Sequence, residues 1–379
     1  MAMADKLVLT LNAGSSSLKF ALFEPASPPR RLLVDEVERI GSAGLDHAGA
    51  LDRALQKVEE KGGLAVIGAV GHRIVHGGSR FDGPRRLTGD VLEELRRLAT
   101  LDPDHMPAAI AIVDAMRARA PDLPQAASFD TAFHRTMPRV ARLVPIPRRY
   151  QASGVERYGF HGLSYTYLVE ELERVAGSAA AHGRVIVAHL GSGSSLVALR
   201  EGRSVDTTMG FTPTSGIPMG TRSGDIDPGV VLHLLRSEKL EASALDDLLN
   251  RRSGLLGVSD SSADMRDLLA AEPTDPRAAD AVGLYCWRAR QAVGALATTI
   301  GGLDTLVFSG GIGEHAAPVR ARIAGGLEHL GVHLDEGRNR AGAPVISADG
   351  SPCTVRVLAT DEEAIIAREA VQVLRESRA

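Results

Sequence analysis

At 379 residues, with 44% hydrophobic and 24% charged residues, the chain is too long for one ordinary core and reads as a globular protein of two domains. A formal net charge of −4 excludes the basic footprint of a nucleic-acid binder, and no apolar run approaches the ~20 residues that cross a bilayer. Cys286 and Cys353 match no zinc or disulfide spacing, and the first apolar run is too short for a signal sequence, so a cytoplasmic protein with no nucleic-acid or membrane partner is expected.

The first apolar strand turns through Asn12, Gly14 and three serines and returns, over Leu7 to Phe23. Pro25 to Arg31 reads as a proline-rich turn. A helical period over 45–61 sets Leu51, Leu55 and Val58 on one side. Leu64 to Val75, β-branched and punctuated by glycine, reads as a buried strand opening into His76-Gly77-Gly78. Helices are expected over 89–99 and 107–119, the second ended by Pro121. Ala126 to Phe133 reads as a strand end that delivers Asp130 to a loop.

Residues 138–160, rich in Pro and Arg, are expected to be irregular and to hold the crossing into the second half. A helix over 164–175 leads to Val185–Arg200, which repeats the first hairpin at an offset of 178 residues (185 − 7), Ser194-Ser195-Leu196 falling on Ser16-Ser17-Leu18 and Val197 on Lys19. Two glycine/serine hairpins half a chain apart predict one domain type used twice. Residues 206–227 form a loop long enough to be functional. Helices follow over 228–250 and 275–301, then the strand Thr305–Ser309 running into Gly310-Gly311-Ile312-Gly313. A helix over 316–330, a strand near 354–358 and a helix over 361–376 complete an α/β pattern.

Three glycine loops follow apolar strands, at Gly14, Gly191 and Gly310. Each alone reads as a tight turn; together they fit backbone N–H groups converging on the phosphates of one nucleotide. There is no GxxxxGK[ST] and no GxSxG, and the relaxed GxGxxA pattern at Gly311 is a weak dinucleotide signal. Arg73, Asp130, His161 and Arg222 each stand in an apolar or glycine-rich context where a buried strand opens into a loop. Phosphoryl transfer needs such cations and acids, because the transferred group carries spread negative charge. Glu362 is a candidate Mg²⁺ ligand, or the start of a helix whose dipole Glu363 equally complements. His72 and His76 read as structural. Asp264-Met265-Arg266 is either a capped helix start or a nucleotide-contacting turn.

These motifs resemble the acetate kinase family of the acetate and sugar kinase/Hsp70/actin superfamily, in order and over nearly the whole chain. The segments are LNAGSSSLKF, VGHRIVHGG, SFDTAFHRTMP, RYGFHGLS, HLGSGSS, DTTMGFTP, MGTRSGDIDPG, GLLGVSDSSADMRD, FSGGIGEH and TDEEAIIAREA. The resemblance implies two duplicated RNase H-like (actin-like ATPase) domains with a central cleft, spanning 1–129 plus 363–379 and 130–362. It implies ATP, Mg²⁺, a small carboxylic acid that becomes an acyl phosphate, and a homodimer. By position, Asn12 and Glu362 would serve the metal and Lys19 the nucleotide phosphates. Arg73 would bind the substrate carboxylate, with Val75, Phe160 and Pro213 around its acyl group. Asp130 would match the family's proton donor and acceptor, and His161 and Arg222 would stabilise the transition state. His189, Leu190, Gly191, Ser192, Gly193, Asp264, Met265, Arg266, Gly311, Ile312, Gly313, Glu314 and His315 would line the ATP site.

Three positions depart from the family pattern: Ser192 stands for an asparagine, Asp104 for a leucine of the acyl pocket, and Ser215 for a glutamate. Asp104 points to a larger or hydroxylated acid, or else turns to solvent or an arginine. A non-catalytic nucleotide switch on the same fold and a dinucleotide oxidoreductase are the readings from other classes. The four retained charged residues weigh against the switch.

Overall fold

The computed structural model describes residues 6–14, 17–41, 44–103 and 105–376. Ser15, Ser16 and Asp104, on which part of the repeat and of the acid expectation rests, lie outside the described residues. The first sheet comprises β1 (Leu7–Ala13), β2 (Ser17–Glu24), β3 (Arg30–Glu38), β4 (Ile67–Ile74), β5 (Arg85–Arg86) and β6 (Gln125–Phe129). The second comprises β7 (Arg184–Leu190), β8 (Ser194–Arg200), β9 (Arg203–Thr207), β10 (Thr305–Ser309) and β11 (Thr354–Val357).

Their strand orders are β3-β2-β1-β4-β6-β5 and β11-β10-β7-β8-β9. In each sheet three antiparallel strands in sequence lead into two parallel ones, β1/β4/β6 or β7/β10/β11. Apart from the two-residue β5 the sheets share one topology, which is the duplication expected from the hairpins. The repeat is not in register throughout. The last rung of the first hairpin is Ala13↔Leu18 and of the second Leu190↔Ser194, so the second turn is a residue shorter. Counting back one rung sets Asn12↔Lys19 against His189↔Ser195. Lys19 therefore corresponds to Ser195; Val197, paired with Val187 and Thr207, is fully buried core.

Two compact units emerge. The first holds residues 1–135, 162–167 and 361–379, and the second 136–161 and 168–360. In the first unit the helix Glu362–Glu376 lays Ala367, Ala370, Val373 and Leu374 against Val8, Phe23, Ala69 and Ala126 of the sheet. Gly71 in β4 makes this approach possible: a Cβ there would stand 2.6 Å from Ile366 Cγ2 and 2.9 Å from its carbonyl oxygen. The opposite face packs on the helices His47–Glu59 and Met106–Arg119. In the second unit the 25-residue helix Pro276–Ile300, capped by Asp275 and ended by Gly301 at φ 76°, buries Tyr285, Ala289 and Val293 against β7, β8 and β10.

Most expected elements form within a few residues of their predicted bounds. The stretch 228–250 is two helices, Pro228–Ser237 and Ala242–Arg251, and Arg139–Arg142 and Arg148–Ala152 add short helices to the irregular segment. β3 is an edge strand that the sequence conceals: its RRLLVDEVE alternates between half-buried and exposed, with Val34 55% exposed.

Candidate active site

In the first unit, strand ends bring Asn12, Arg73 and Asp130 together. β4 runs parallel to β6 with Arg73 level with Ser128, so the two strands release Arg73 and Asp130 side by side. Arg73 Nε donates to both oxygens of Asp130 at 3.1 and 3.2 Å, and Nη2 donates to Oδ2 at 2.6 Å. Arg73 Nη1 donates to Asn12 Oδ1 at 3.1 Å and lies 3.7 Å from Glu362 Oε2. Asn12 Nδ2 donates to Glu362 Oε2 and Glu363 Oε1, both at 3.3 Å. Burial opposes the charge on Arg73, and Asp130, Glu362 and Glu363 outweigh it, holding the guanidinium above its ordinary pKa.

Glu362 is fixed from its other side by the fully buried Ser164, whose hydroxyl donates to Oε1 at 2.5 Å. Ser164 is in the first turn of the helix Gly162–Ala176. Gly162 N–H donates to the Asp130 carbonyl at 3.0 Å, where a Cβ on residue 162 would collide at 2.0 Å. The donor set of carboxylates and an amide suits a hard cation such as Mg²⁺, which takes one or two protein carboxylates and fills its octahedron with water and phosphate. Among the described residues no cluster of three or more His, Cys, Asp or Glu side chains forms a closed metal cage. Val75 is buried at the end of this region, and Lys19 is exposed, cross-strand from Asn12 and Glu36.

In the second unit His161 sits at φ 61°, ψ 24°, a left-handed conformation that costs a non-glycine residue about 1–2 kcal/mol and is retained at functional positions. Its Nδ1 lies 2.8 Å from Ser195 Oγ, and its ring centroid is 4.6 Å from that of His189. A Cβ on Gly193 would stand 3.3 Å from His161 Nε2 and 3.8 Å from Arg222 Nη1, so both groups flank that glycine. Arg222 Nη1 also donates to the Pro213 carbonyl at 3.4 Å. Gly220 N–H donates to the Ser192 carbonyl at 3.1 Å, tying the Arg222 loop to the glycine turn, and Leu255 N–H donates to the Met219 carbonyl at 2.8 Å, tying the same loop to the helix Gly254–Ser259. Gly254, at φ +61°, lets this happen: a Cβ would be 2.2 Å from the Met219 carbonyl. Phe160 is buried.

The glycine loops differ from the anion cradle expected of them in two respects. The third is a short helix, Gly310–His315, rather than a loop. The first N–H of each is already satisfied internally: Gly14 by the Ser17 carbonyl, Gly191 by the Gly193 carbonyl and Gly310 by Glu314 Oε1. Of the remaining ATP-site candidates, Leu190 is buried and Gly191 half-buried, while Ser192, Gly311 and His315 are exposed. Ile312 packs on the core and Gly313 is buried. Glu314 is raised by burial. Asp264 caps the helix Met265–Ala271 by accepting from Arg266 N–H, Met265 enters the core, and Arg266 is 89% exposed. Sequence reasoning missed Ser164 and Ser195 and treated Glu363 only as a helix-end charge. Their partners are far off in sequence, and a lone serine carries no pattern.

The sequence profile of the acetokinase family matches residues 7–368. An acetate kinase of Rhodopseudomonas palustris is 45% identical, over 97% of this chain and 98% of that one. The crystal structure of Porphyromonas gingivalis acetate kinase superimposes with a TM-score of 0.89 at 36% identity, over 97% of this chain and 100% of that one. The crystal structure of a Francisella tularensis propionate kinase gives 0.92 at 34% identity, with the same coverage.

Proposed function

Because the chain belongs to the acetokinase family, we propose that it moves the γ-phosphoryl group of ATP to the carboxylate of a short acid, giving ADP and an acyl phosphate, reversibly. The observation that carries the reading is the Arg73–Asp130 pair with Asn12 and Glu362 beside it. A carboxylate acceptor needs a fixed cation that presents a fork, and Arg73 is held as one. The acceptor is already ionised at neutral pH, so attack on phosphorus needs no proton removal. Asp130 therefore acts here by aligning Arg73, which is a narrower role than the proton transfer that the resemblance implied.

Asn12 and Glu362 would hold Mg²⁺, which would supply positive charge to offset that of the phosphates. Lys19 would add a cation to the phosphates. His161 and Arg222 would donate hydrogen bonds to the transferring phosphoryl group, and Val75, Phe160 and Pro213 would border the acyl group of the acceptor acid. The turn at His189 to Gly193, the capped start at Asp264 to Arg266 and the segment Gly311 to His315 bind the nucleotide. The functional halves are proposed to divide at 1–129 plus 363–379 and 130–362, while the compact units group Asp130, residues 162–167 and Glu362 with the first.

The acid is acetate or propionate in size, as the names of the relatives suggest. A second reading, a hydroxylated acid, rests on Ser215: its Oγ is buried without a hydrogen-bond partner among the described residues, two residues from Pro213. Among the described residues no helix is long and apolar enough to cross a membrane, and a cytoplasmic location fits two buried, unpaired cysteines. The helix Pro228–Ser237 (PGVVLHLLRS) buries no residue and exposes Val230 and Leu232, which supports a homodimer that covers it. A hydroxamate assay with ATP, Mg²⁺ and a panel of acetate, propionate, butyrate and their hydroxylated analogues tests the reading. Acyl phosphate from at least one acid is expected; none from any acid overturns it in favour of a nucleotide switch.

A further inference from the structure

We infer that Ser195 is a positioning residue that fixes the tautomer of His161, so that the imidazole serves as a neutral donor through Nε2. The inference rests on the kinase reading for its purpose but on geometry for its content.

A neutral imidazole carries one proton, and the hydrogen bond made by one ring nitrogen decides which nitrogen holds it. Ser195 Oγ is 2.8 Å from His161 Nδ1. Ser195 is fully buried, and its backbone is pinned in β8 opposite His189 of β7, so the hydroxyl is held by a sheet rather than a loop. When it donates to Nδ1, the proton must sit on Nε2. That nitrogen faces Gly193, and Arg222 Nη1 flanks the same glycine. His161 Nε2 and Arg222 Nη1, which also donates to the Pro213 carbonyl, thus flank a position that carries no side chain, where a group with spread negative charge would be bound.

Arg222, a permanent cation, flanks the same glycine as Nε2, and a like charge close by disfavours an imidazolium. A neutral ring still donates strongly to developing charge and does so across the physiological range, provided the tautomer is right. The left-handed backbone at His161 fits the same purpose, since it aims a ring that Ser195 then locks.

The test is a long-range ¹H–¹⁵N correlation spectrum of the histidine rings in the full chain, with His161 assigned by its loss in His161→Gln. The Nε2–H tautomer is expected in the wild type and in Ser195→Thr, with mixed tautomers in Ser195→Ala. In the hydroxamate assay Ser195→Ala should lower kcat by about 10- to 100-fold, less than the about 10²- to 10³-fold typical of losing a transition-state donor itself. KM for ATP should be nearly unchanged, and Ser195→Thr should restore the wild-type values. If Ser195→Ala does not fold, Ser195→Cys keeps the volume with a much weaker donor and should give the same spectral and kinetic changes. An Nδ1–H tautomer in the wild type, or an unchanged tautomer and kcat in Ser195→Ala, overturns the inference. A wild type that phosphorylates no acid overturns the kinase reading instead, and the spectrum still decides the role of Ser195.

Discussion

The Ser164 hydroxyl and the Glu362 carboxylate meet at 2.5 Å although 198 positions separate them in sequence. This bond joins the first turn of one helix to the first residue of another, and Asn12 holds the other carboxylate oxygen at 3.3 Å. Glu362 is thereby presented in one orientation. Ser164→Ala removes one clamp without adding volume. Its Mg²⁺ requirement, read from activity against metal concentration, should rise by about 10- to 100-fold, as loss of a ligand's supporting hydrogen bond typically does. An unchanged requirement would detach Ser164 from the metal.

Arg73→Ala leaves the fully buried Asp130 without its main counter-charge. Breaking a buried pair from one side costs about 3–5 kcal/mol, so urea unfolding should show a large loss of stability together with loss of activity. Adding Asp130→Asn should return part of the stability and none of the activity. If Arg73→Ala is as stable as the parent, Asp130 does not depend on Arg73 for its charge balance.

Arg222→Ala should lower kcat by about 10³-fold or more, judged from arginines that stabilise transferring phosphoryl groups. Its carbonyl-bonded loop is held by backbone contacts to Ser192 and Gly254 neighbours, so thermal stability should change little. A loss under about tenfold would place the transition-state charge elsewhere.

Two buried histidines predict how stability depends on pH. Burial lowers His72 to about 4, partly opposed by its bond to Gln125, and lowers His76 to about 4 against the pull of Asp102. The Gly78 N–H donates to His76 Nδ1, which only the neutral ring can accept. The unfolded chain takes up protons near 6.5 while the folded chain does not, so stability is full above that value and falls as pH drops toward 4. Each histidine contributes roughly 3 kcal/mol at most to that loss. Chemical denaturation between these pH values should find His72→Gln less pH-sensitive than the parent; equal slopes would remove His72 from the account.

Lys19→Ala should impair turnover and leave stability alone, because Lys19 is exposed. Val197→Ala should do the reverse, costing about 1–3 kcal/mol by emptying a packed core position. Turnover and melting temperature measured on both variants separate the two effects.

The strands and glycine turns are legible because runs such as LVLTLNA and VIVAHL carry their apolar content in the order in which a sheet buries it. β3 is not, because an edge strand with one wet face reads as charged loop beside Pro25, Pro28 and Pro29. The charged residues Arg73, Asp130 and Arg222 stand out against apolar or glycine-rich surroundings. Ser164 and Ser195 do not, because a hydroxyl draws its importance from what it touches, and those partners are 198 and 34 residues away. The pairing of Lys19 with Val197 failed for a similar reason: a gapless repeat cannot register one turn being a residue shorter, and only cross-strand pairing exposes the slip.

The helix Glu362–Glu376 follows every other described element in the chain, yet it covers the first sheet and carries Glu362. During synthesis the earliest strands therefore leave the ribosome with an uncovered apolar face at Val8, Phe23, Ala69 and Ala126, and that face stays bare until translation reaches the far end. The first unit matures last, and a nascent chain cut short before residue 362 has neither its lid of alanines nor its acid.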